Sequence, residues 1–308
     1  MSDPQPAALH PAALHAVART RAEGLHLWGR MLGLRAAPDS TPRADGEYLL
    51  QAACADGVVD VTTLATLTDV GAGYTIRGHL SDHLRLATTS LSLQPTGLGA
   101  GPVHGPITCR SRLIWLAEDT RRALVRGYVS DADGAPVATA TVWMVVLPTP
   151  AGSVVVPMPW EGPRADAGTL TAADLTATEL TFATSASAAI ERSADSGLSL
   201  PEELLAVTWT PDNDRLVGEV RHGPHLGNRI GNVQGGALFG LAATAARRLA
   251  GGGQQLADGS MQFLRPGTGG DLRVTATVVR RGRTVSYVDA VVESGGRTLV
   301  SAHFSLMT

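Results

Sequence analysis

The sequence predicts an α+β fold of two tandem units, each a long buried helix wrapped by an antiparallel sheet. In the second half, an Ala- and Leu-rich run follows the turn Gln234-Gly235-Gly236 and ends at the glycines from Gly251. Apolar residues lie on nearly every side of this run, which is typical of a buried helix. Strand patterns follow it, and the first half of the chain has the same order of elements.

Composition restricts the class of protein. With 308 residues, 44% of them hydrophobic and 17% charged, the chain is long enough for one or two globular domains. A net charge of −3 gives no basic field for nucleic acid. Lysine is absent, which excludes a Walker-type phosphate loop and a Schiff-base lysine. No signal-type or membrane-spanning run is found, so a cytoplasmic protein without a membrane partner is expected.

Motifs of other hydrolases and of metal sites are not found. Cys54 and Cys109 are expected to be two reduced thiols, in preference to a disulfide. The chain has neither a Gly-x-Ser-x-Gly elbow nor a His-Glu-x-x-His motif, so no metal or redox cofactor is expected. Four histidines are interpreted as loop residues in preference to metal ligands: His79, His83, His222 and His225.

The first half begins with a Pro- and Ala-rich stretch, residues 1–11, expected to be loose, and an amphipathic helix from about Ala12 to Leu34. Glu47 to Ala53 predicts a strand. The apolar run Val59–Ile76 predicts a buried helix with Asp69 embedded in it. Four strands are then expected: Leu86–Pro95, Ile107–Leu116, Arg122–Asp131 and Val137–Leu147.

In the second half, a strand, a turn and a second strand are expected over Ser260–Arg283, then strands at Thr284–Val292 and Thr298–Met307. Residues 148–200 are interpreted as a crossover, with room for a helix in Thr169–Ser196. The predicted divisions are therefore an N-terminal unit with its leading helix (1–150), a crossover linker (151–200) and a C-terminal unit (201–308). The two units should pair as a pseudo-twofold dimer.

Particular residues in the second half resemble a known family: Asn228, Gln234-Gly235-Gly236, Leu264-Arg265-Pro266 and Arg281-Gly282-Arg283. They are similar to hotdog-fold acyl-CoA thioesterases of the phenylacetate-pathway and 4-hydroxybenzoyl-CoA type. The family usually has His-Gly-Gly at the turn, so Gln234 is a departure. A larger departure is Ala243, because the family's helix carries the catalytic carboxylate there.

The two units have complementary losses. When the predicted helices are superposed, Asp69 takes the position of Ala243, whereas Asp60-Val61-Thr62 replaces the Gly-Gly turn. The resemblance implies active sites between units, with the acid from one and the helix N-terminus and Asn from the other. We therefore expect one complete site, in which Asp69 faces Asn228, Gln234 and Gly235, and an inactive cleft in which Ala243 faces the Asp60 turn.

The resemblance also implies roles. Asp69 is the expected general base or nucleophile, the Gly235 N–H the oxyanion donor, and Asn228 a group that orients water or the carboxylate. Gly236 allows close approach of the substrate. Thr88 and Thr89 are candidate hydrogen-bonding groups. Three arginines are candidates for binding CoA phosphates, with ordinary surface arginines as the alternative interpretation: Arg265, Arg281 and Arg283.

The predicted function is hydrolysis of acyl-CoA thioesters, with coenzyme A as part of the substrate and no other cofactor. No nucleic-acid partner is expected, and a homodimer of double-hotdog chains is left open. One alternative is a non-catalytic acyl-CoA binding protein in which the motifs have decayed. Another is a hotdog enoyl-CoA hydratase, although the Asp and His pair of that family is not found in this sequence.

Overall fold

A computed structural model describes residues 8–23, 26–37, 40–43, 45–54, 56–80, 84–96, 103–117, 121–149, 158, 160, 168–228, 230–251 and 253–308. Structural statements below concern these residues. The predictions for residues 1–7, for His83 and for most of the first part of the crossover lie outside them.

The helices of the described residues fall into a central pair and a peripheral group. The central pair is α3 (Val61–Arg77) and α6 (Gly235–Ala250). The peripheral group comprises α1 (Pro11–Glu23), α2 (Leu27–Met31), α4 (Ala177–Ser196) and α5 (Leu200–Leu205). No described helix is both long and apolar enough to span a membrane.

Strands of the N-terminal half are β1 (Arg35–Ala36), β2 (Glu47–Ala52), β3 (Val58–Val59), β4 (Leu84–Pro95), β5 (Val103–His104), β6 (Ile107–Ala117), β7 (Arg122–Ser130) and β8 (Pro136–Pro148). Those of the C-terminal half are β9 (Thr208–Asp212), β10 (Arg215–Val220), β11 (Gln255–Phe263), β12 (Leu272–Arg280), β13 (Val285–Ser294) and β14 (Arg297–Met307).

Twelve of these strands form one continuous antiparallel sheet, in the order β1-β2-β6-β7-β8-β4-β11-β14-β13-β12-β10-β9. From the central pair β4 and β11 outward, equivalent strands follow one another in the same order in both directions, because each half contributes one hotdog unit. The halves join where β4 pairs with β11 and Leu91 lies opposite Met261. The predicted fold class, two hotdog units that form a pseudo-dimer, is confirmed.

The central helices cross closely at residues with small side chains. A Cβ atom on Gly236 would lie 2.3 Å from Thr66 Cα, and a Cβ on Gly240 would lie 2.3 Å from Thr62 Oγ1. One turn further along α6, from Gly236 to Gly240, the contacting residue on α3 lies one turn earlier, so the helices are antiparallel. The two contacts also exchange under the superposition of the units, as a pseudo-twofold axis requires.

Each central helix starts at a polar N-cap. The Asp60 Oδ1 atom accepts a hydrogen bond of 2.8 Å from Thr63 N, and the Gln234 Oε1 atom accepts one of 3.0 Å from Ala237 N. These bonds satisfy one of the N–H groups that the first turn of a helix leaves without an intrahelical partner. The two N-caps occupy equivalent positions, so both units preserve the geometry of the helix start.

Several details differ from the prediction. The leading helix is divided into α1 and α2, and the C-terminal unit begins with a hairpin, β9–β10, that was not predicted. Cys54 and Cys109 are both buried, and no disulfide joins them. The predicted helix in the crossover corresponds to α4. The divisions at residues 150 and 200 stay predictions.

Candidate active site

Asp69 is held between the two hotdog units. Its side chain projects from α3, and its Oδ1 atom accepts a hydrogen bond of 2.7 Å from the hydroxyl of Thr88 on β4. The Oδ2 atom accepts a hydrogen bond of 2.9 Å from the Gln234 Nε2 amide at the start of α6. The carboxylate is thus oriented by one neighbour from each unit, and each oxygen keeps a second acceptor position for another donor.

Burial dominates the electrostatics of this carboxyl group. Asp69 is 8% exposed. Loss of hydration raises its pKa from 3.8 to about 6, although the hydrogen bonds from Thr88 and Gln234 oppose part of the rise. A base whose pKa lies near neutral pH is largely ionised in neutral solution and still accepts a proton readily.

The start of α6 supplies donors beside this base. The Gln234 side chain takes the N–H of Ala237, but the N–H groups of Gly235 and Gly236 have no hydrogen-bond partner among the described residues. A Cβ on Gly235 would lie 2.7 Å from Asp69 Oδ2, so the carboxylate is directly beside this backbone. Free N–H groups at the positive end of a helix dipole are suited to bind a developing oxyanion.

Asn228 was expected to face Asp69, but its side chain makes its hydrogen bonds within its own loop. Its Oδ1 atom accepts hydrogen bonds of 3.0 Å from both Ile230 N and Asn232 N, so the carbonyl oxygen organises its own loop. That loop leads directly to Gln234, whose N–H donates to Leu226 O at 2.9 Å. No hydrogen bond joins Asn228 to Asp69 in the described part of the chain, and a direct role for Asn228 stays a prediction.

The two threonines after α3 have different surroundings. Thr88 is half-buried and bonded to Asp69, whereas Thr89 is exposed and donates a hydrogen bond of 3.1 Å to Trp143 O. The pairing of β4 with β8 shifts register between Thr88 and Ser90. This bulge turns Thr88 toward the helix and Thr89 away from it.

The predicted phosphate-binding arginines lie at two different ends of α6. Arg265 is near its start and donates a hydrogen bond of 3.0 Å from Nη1 to Thr298 O. Arg281 donates to Leu249 O and Ala250 O at the opposite end, with distances of 2.9 and 3.1 Å. At 1.5 Å of rise per residue, Leu249 is about 21 Å along the helix from Gly235. Arg283 is exposed. The structure does not gather the three around Asp69.

The opposite cleft lacks the same constellation. Asp60 takes the place of Gln234, and the buried Ala243 takes the place of Asp69. The Oδ2 atom of Asp60 accepts a hydrogen bond of 2.7 Å from the Ser199 hydroxyl at the start of α5. The Leu200 N–H donates to Asp56 Oδ2 at 2.7 Å, and Glu202 pairs with Arg247 at 2.8 Å. The end of the crossover and the following helix α5 are therefore tied to both central helices on this side.

Two residues of the site region were not predicted from the sequence. Ser199 begins an N-cap pattern, Ser199-Leu-Pro201-Glu202, that signals a helix but not its contact with Asp60. Phe263 is the last residue of β11, and its ring lies 3.3 Å from the position of a Cβ on Gly235. Its place at a strand end carried no signal that it would reach the site.

A continuous sheet around two antiparallel helices, with a carboxylate from one unit facing the helix start of the other, is the arrangement of a double-hotdog fold. Residues 225–307 match the sequence model of the family described as acyl-CoA thioesterase N-terminal domain. This match lies within the C-terminal unit and confirms the resemblance to acyl-CoA thioesterases that the sequence indicates. No curated protein matched the chain significantly.

Solved structures share the fold over most of the chain. A tesB protein of Mycobacterium avium subspecies paratuberculosis has a TM-score of 0.54 at 10% identity, covering 90% of this chain and 96% of its own. A protein described as an oleoyl thioesterase of Lactobacillus plantarum has 0.52 at 10%, covering 88% and 97%. The 12:0-ACP thioesterase of Umbellularia californica has 0.52 at 9%, covering 85% and 94%. At such identities the likeness concerns the fold alone.

Proposed function

We propose that the chain hydrolyses acyl-CoA thioesters at one composite site between its two units. The observation that carries this proposal is the position of Asp69, a buried carboxylate held by Gln234 and Thr88 directly beside the unpartnered N–H of Gly235. A base and an oxyanion donor side by side are what attack of water on a carbonyl carbon requires.

The reaction follows from these groups. One Asp69 oxygen accepts a proton from a water molecule, whose oxygen forms a bond to the thioester carbon. The carbonyl oxygen becomes negatively charged and accepts the hydrogen bond from Gly235 N–H, a contribution of roughly 3–4 kcal/mol for such a donor. The C–S bond then breaks, and the proton on Asp69 passes to the departing thiolate. The products are a carboxylic acid and coenzyme A as its thiol.

The structure favours the base over the nucleophile for Asp69. Both carboxylate oxygens are already held by donors, one from Thr88 and one from Gln234. Direct attack would form an anhydride and remove the negative charge that strengthens the hydrogen bonds from Thr88 and Gln234. Proton transfer from water needs only a second acceptor position on the same oxygen. Thr88 and Gln234 thus act as positioning residues for the carboxylate.

One productive site per chain is part of the proposal. In the opposite cleft Ala243 supplies no base, and Asp60 is hydrogen-bonded to Ser199 of the crossover. The first turn of α3 there begins with Val61 in place of Gly235, so a branched side chain lies beside the first backbone N–H groups of the helix. Neither half of the catalytic pair is present on this side.

The three candidate phosphate-binding arginines differ in their distance from the site at Gly235. Arg265, near the start of α6, is the better placed of the three for the phosphates of a CoA bound at Gly235. Arg281 caps the far end of α6 and already bonds two backbone carbonyls. We therefore assign phosphate binding to Arg265 first. A thioester on a carrier protein would share the acyl chemistry but would not carry the nucleotide phosphates.

The test is release of free thiol from a panel of acyl-CoA esters by the wild-type chain, Asp69→Asn and Asp60→Asn. Asp60 is a matched control, since it is a half-buried carboxylate at the start of the other central helix and lies in the opposite cleft. We expect Asp69→Asn to lower turnover at least about a hundredfold and Asp60→Asn to keep it. Binding of acyl-CoA without thiol release would instead favour a non-catalytic binding protein.

A further inference from the structure

We propose that Phe263 selects the acyl group of the substrate and restricts the site to acyl chains that are unbranched next to the carbonyl carbon. This inference rests on the proposed function, because it assumes that a thioester carbonyl binds between Asp69 and Gly235. It adds a residue outside the catalytic set and a definite substrate class.

The distance between Phe263 and the oxyanion donor carries the argument. A Cβ on Gly235 would lie 3.3 Å from Phe263 Cε1 and 2.7 Å from Asp69 Oδ2. The ring and the carboxylate therefore border the same point in space, one bond away from the Gly235 backbone. A carbonyl oxygen accepting from Gly235 N–H brings its carbon within about 3–3.5 Å of the attacking water. The substituents of that carbon then have to pass the ring edge.

Polarity decides which substituent faces the ring. Phe263 is half-buried, apolar and packed against the hydrophobic core. The pantetheine arm of CoA carries amide groups, and burying them against a phenyl ring without partners would cost free energy. An acyl chain gains free energy from the same burial. The ring therefore faces the first carbons of the acyl group, and the pantetheine arm leaves on another side.

The opposite unit provides an internal comparison. Leu91 on β4 lies opposite Met261 on β11, where the sheets of the two units join. Leu93 and Phe263 each follow two residues later on their strands, so they occupy equivalent positions in the two units. Leu93 is 0% exposed, whereas Phe263 is partly exposed. The side chain at this strand position is thus fully buried in the unit that faces the inactive cleft and partly exposed in the unit that faces Asp69.

The experiment compares Phe263→Ala, Phe263→Leu and the control Leu93→Ala. Each protein is titrated with two non-hydrolysable ketone analogues of acyl-CoA, in which a methylene group separates the sulfur from the carbonyl. One has an unbranched alkyl chain and the other is branched at the carbon next to the carbonyl. Phe263→Ala should improve the ratio of branched to unbranched affinity about tenfold or more, and Phe263→Leu by less, because one or two methyl groups in a tight pocket decide such ratios. Leu93→Ala should leave the ratio unchanged.

Turnover gives a second and separate readout. With hydrolysable esters, Phe263→Ala should shift kcat/KM toward 2-methyl-branched and benzoyl esters, while the pH dependence of the rate stays that of the wild type. An unchanged affinity ratio in Phe263→Ala and Phe263→Leu, or an equal shift in Leu93→Ala, overturns the inference. Absence of thiol release from every ester overturns the proposed function, and the affinity ratios still decide the role of Phe263.

Discussion

At Asp69, burial and hydrogen bonding shift the pKa of one carboxyl group in opposite directions. Burial raises its pKa to about 6, and the donors Thr88 and Gln234 favour the ionised form without cancelling that rise. A folded-state pKa above the unfolded value of 3.8 means that the folded chain holds this proton more tightly than the unfolded chain does. Both the rate and the stability of the protein should therefore depend on pH in a defined direction.

The rate should follow ionisation of Asp69. Since the base must be unprotonated, kcat/KM is expected to fall about tenfold per pH unit below pH 6 and to level off above it. A pH–rate profile of thiol release checks this. The residual activity of Asp69→Asn should lack the inflection. A profile that stays flat down to pH 4 would show that another group activates the water.

Stability should change in the opposite sense. Between the unfolded pKa of 3.8 and the folded pKa of about 6, the unfolded chain has lost the proton that the folded chain keeps. The contribution of Asp69 to stability therefore falls as pH rises through this window and stays low above it. We expect Asp69→Asn to be more stable than the wild type at pH 8, by roughly 1–3 kcal/mol. Urea unfolding at pH 4 and pH 8 measures the difference, and equal stabilities at pH 8 would contradict it.

How far the site could be predicted differs from residue to residue. The sequence singled out Asp69, Gln234 and Gly235 through one acid inside an apolar helix, a Gly-Gly turn and the family resemblance, and the structure places the three side by side. The contact of Thr88 with Asp69 depends on a bulge in β4, and that of Phe263 with Gly235 depends on how β11 packs against the start of α6 within the C-terminal unit. Such long-range contacts leave no periodic pattern in either segment, so sequence reasoning gave Thr88 little weight and missed Phe263.

At the level of elements, α3 and α6 depend on glycine for their close crossing. A Cβ on Gly236 would lie 2.3 Å from Thr66 Cα, a backbone atom that cannot move aside alone. Gly73, in the same pair of helices, is different: its Cβ would find only Met144 Cε, at 3.8 Å. Alanine substitutions at the two glycines therefore distinguish a steric clash between the helices from the effect of alanine on helix propensity.

We expect Gly236→Ala to destabilise the fold by about 1–3 kcal/mol or more, because overpacking at a backbone contact forces the helices apart. Gly73→Ala is the matched control and should be neutral or stabilising by up to about 1 kcal/mol, since alanine favours the helix. Thermal unfolding of both variants tests this. Equal melting temperatures for the two would mean that the crossing tolerates a side chain at position 236.

Prediction of the elements succeeded where periodicity and caps agree. The central helices and the long strands have clear patterns and lie within a few residues of the expected bounds. The hairpin β9–β10 was missed, although Asp212-Asn213-Asp214 is a turn signal, because Pro211 within a short strand weakened the pattern. The division between α1 and α2 is marked by His26, the N-cap of α2, whose Nδ1 atom accepts a hydrogen bond of 2.9 Å from Gly29 N.

For the whole molecule, the pseudo-twofold axis makes the asymmetry of the two clefts testable. Under this axis the contact between Asp69 and Gln234 corresponds to one between Ala243 and Asp60. Burial raises the pKa of Asp60, and the hydrogen bonds from Thr63 and Ser199 oppose that rise. A carboxylate introduced at position 243 would therefore meet the half-buried carboxylate of Asp60, where the active cleft has an amide.

We accordingly expect Ala243→Asp to lower stability, more strongly at pH 8 than at pH 5, without adding turnover. The double variant Ala243→Asp with Asp60→Gln restores the acid–amide pair and should regain much of the lost stability. It should still add no turnover, because Val61 and Thr62 remain where the active cleft has Gly235 and Gly236. Unfolding curves at the two pH values measure the first effect, and thiol release measures the second.

Ligand stoichiometry tests the asymmetry most directly. Two identical hotdog units would form two equivalent clefts, whereas here only one cleft combines Asp69 with the open N–H groups of α6, and the crossover is tied across the other through Ser199. We expect calorimetric titration with a non-hydrolysable acyl-CoA analogue to give about one site per chain. Gly235→Ala, whose Cβ would lie 2.7 Å from Asp69 Oδ2, should abolish that site and leave no second one. Two equivalent sites per chain would mean that the cleft at Asp60 and Ala243 also binds the thioester.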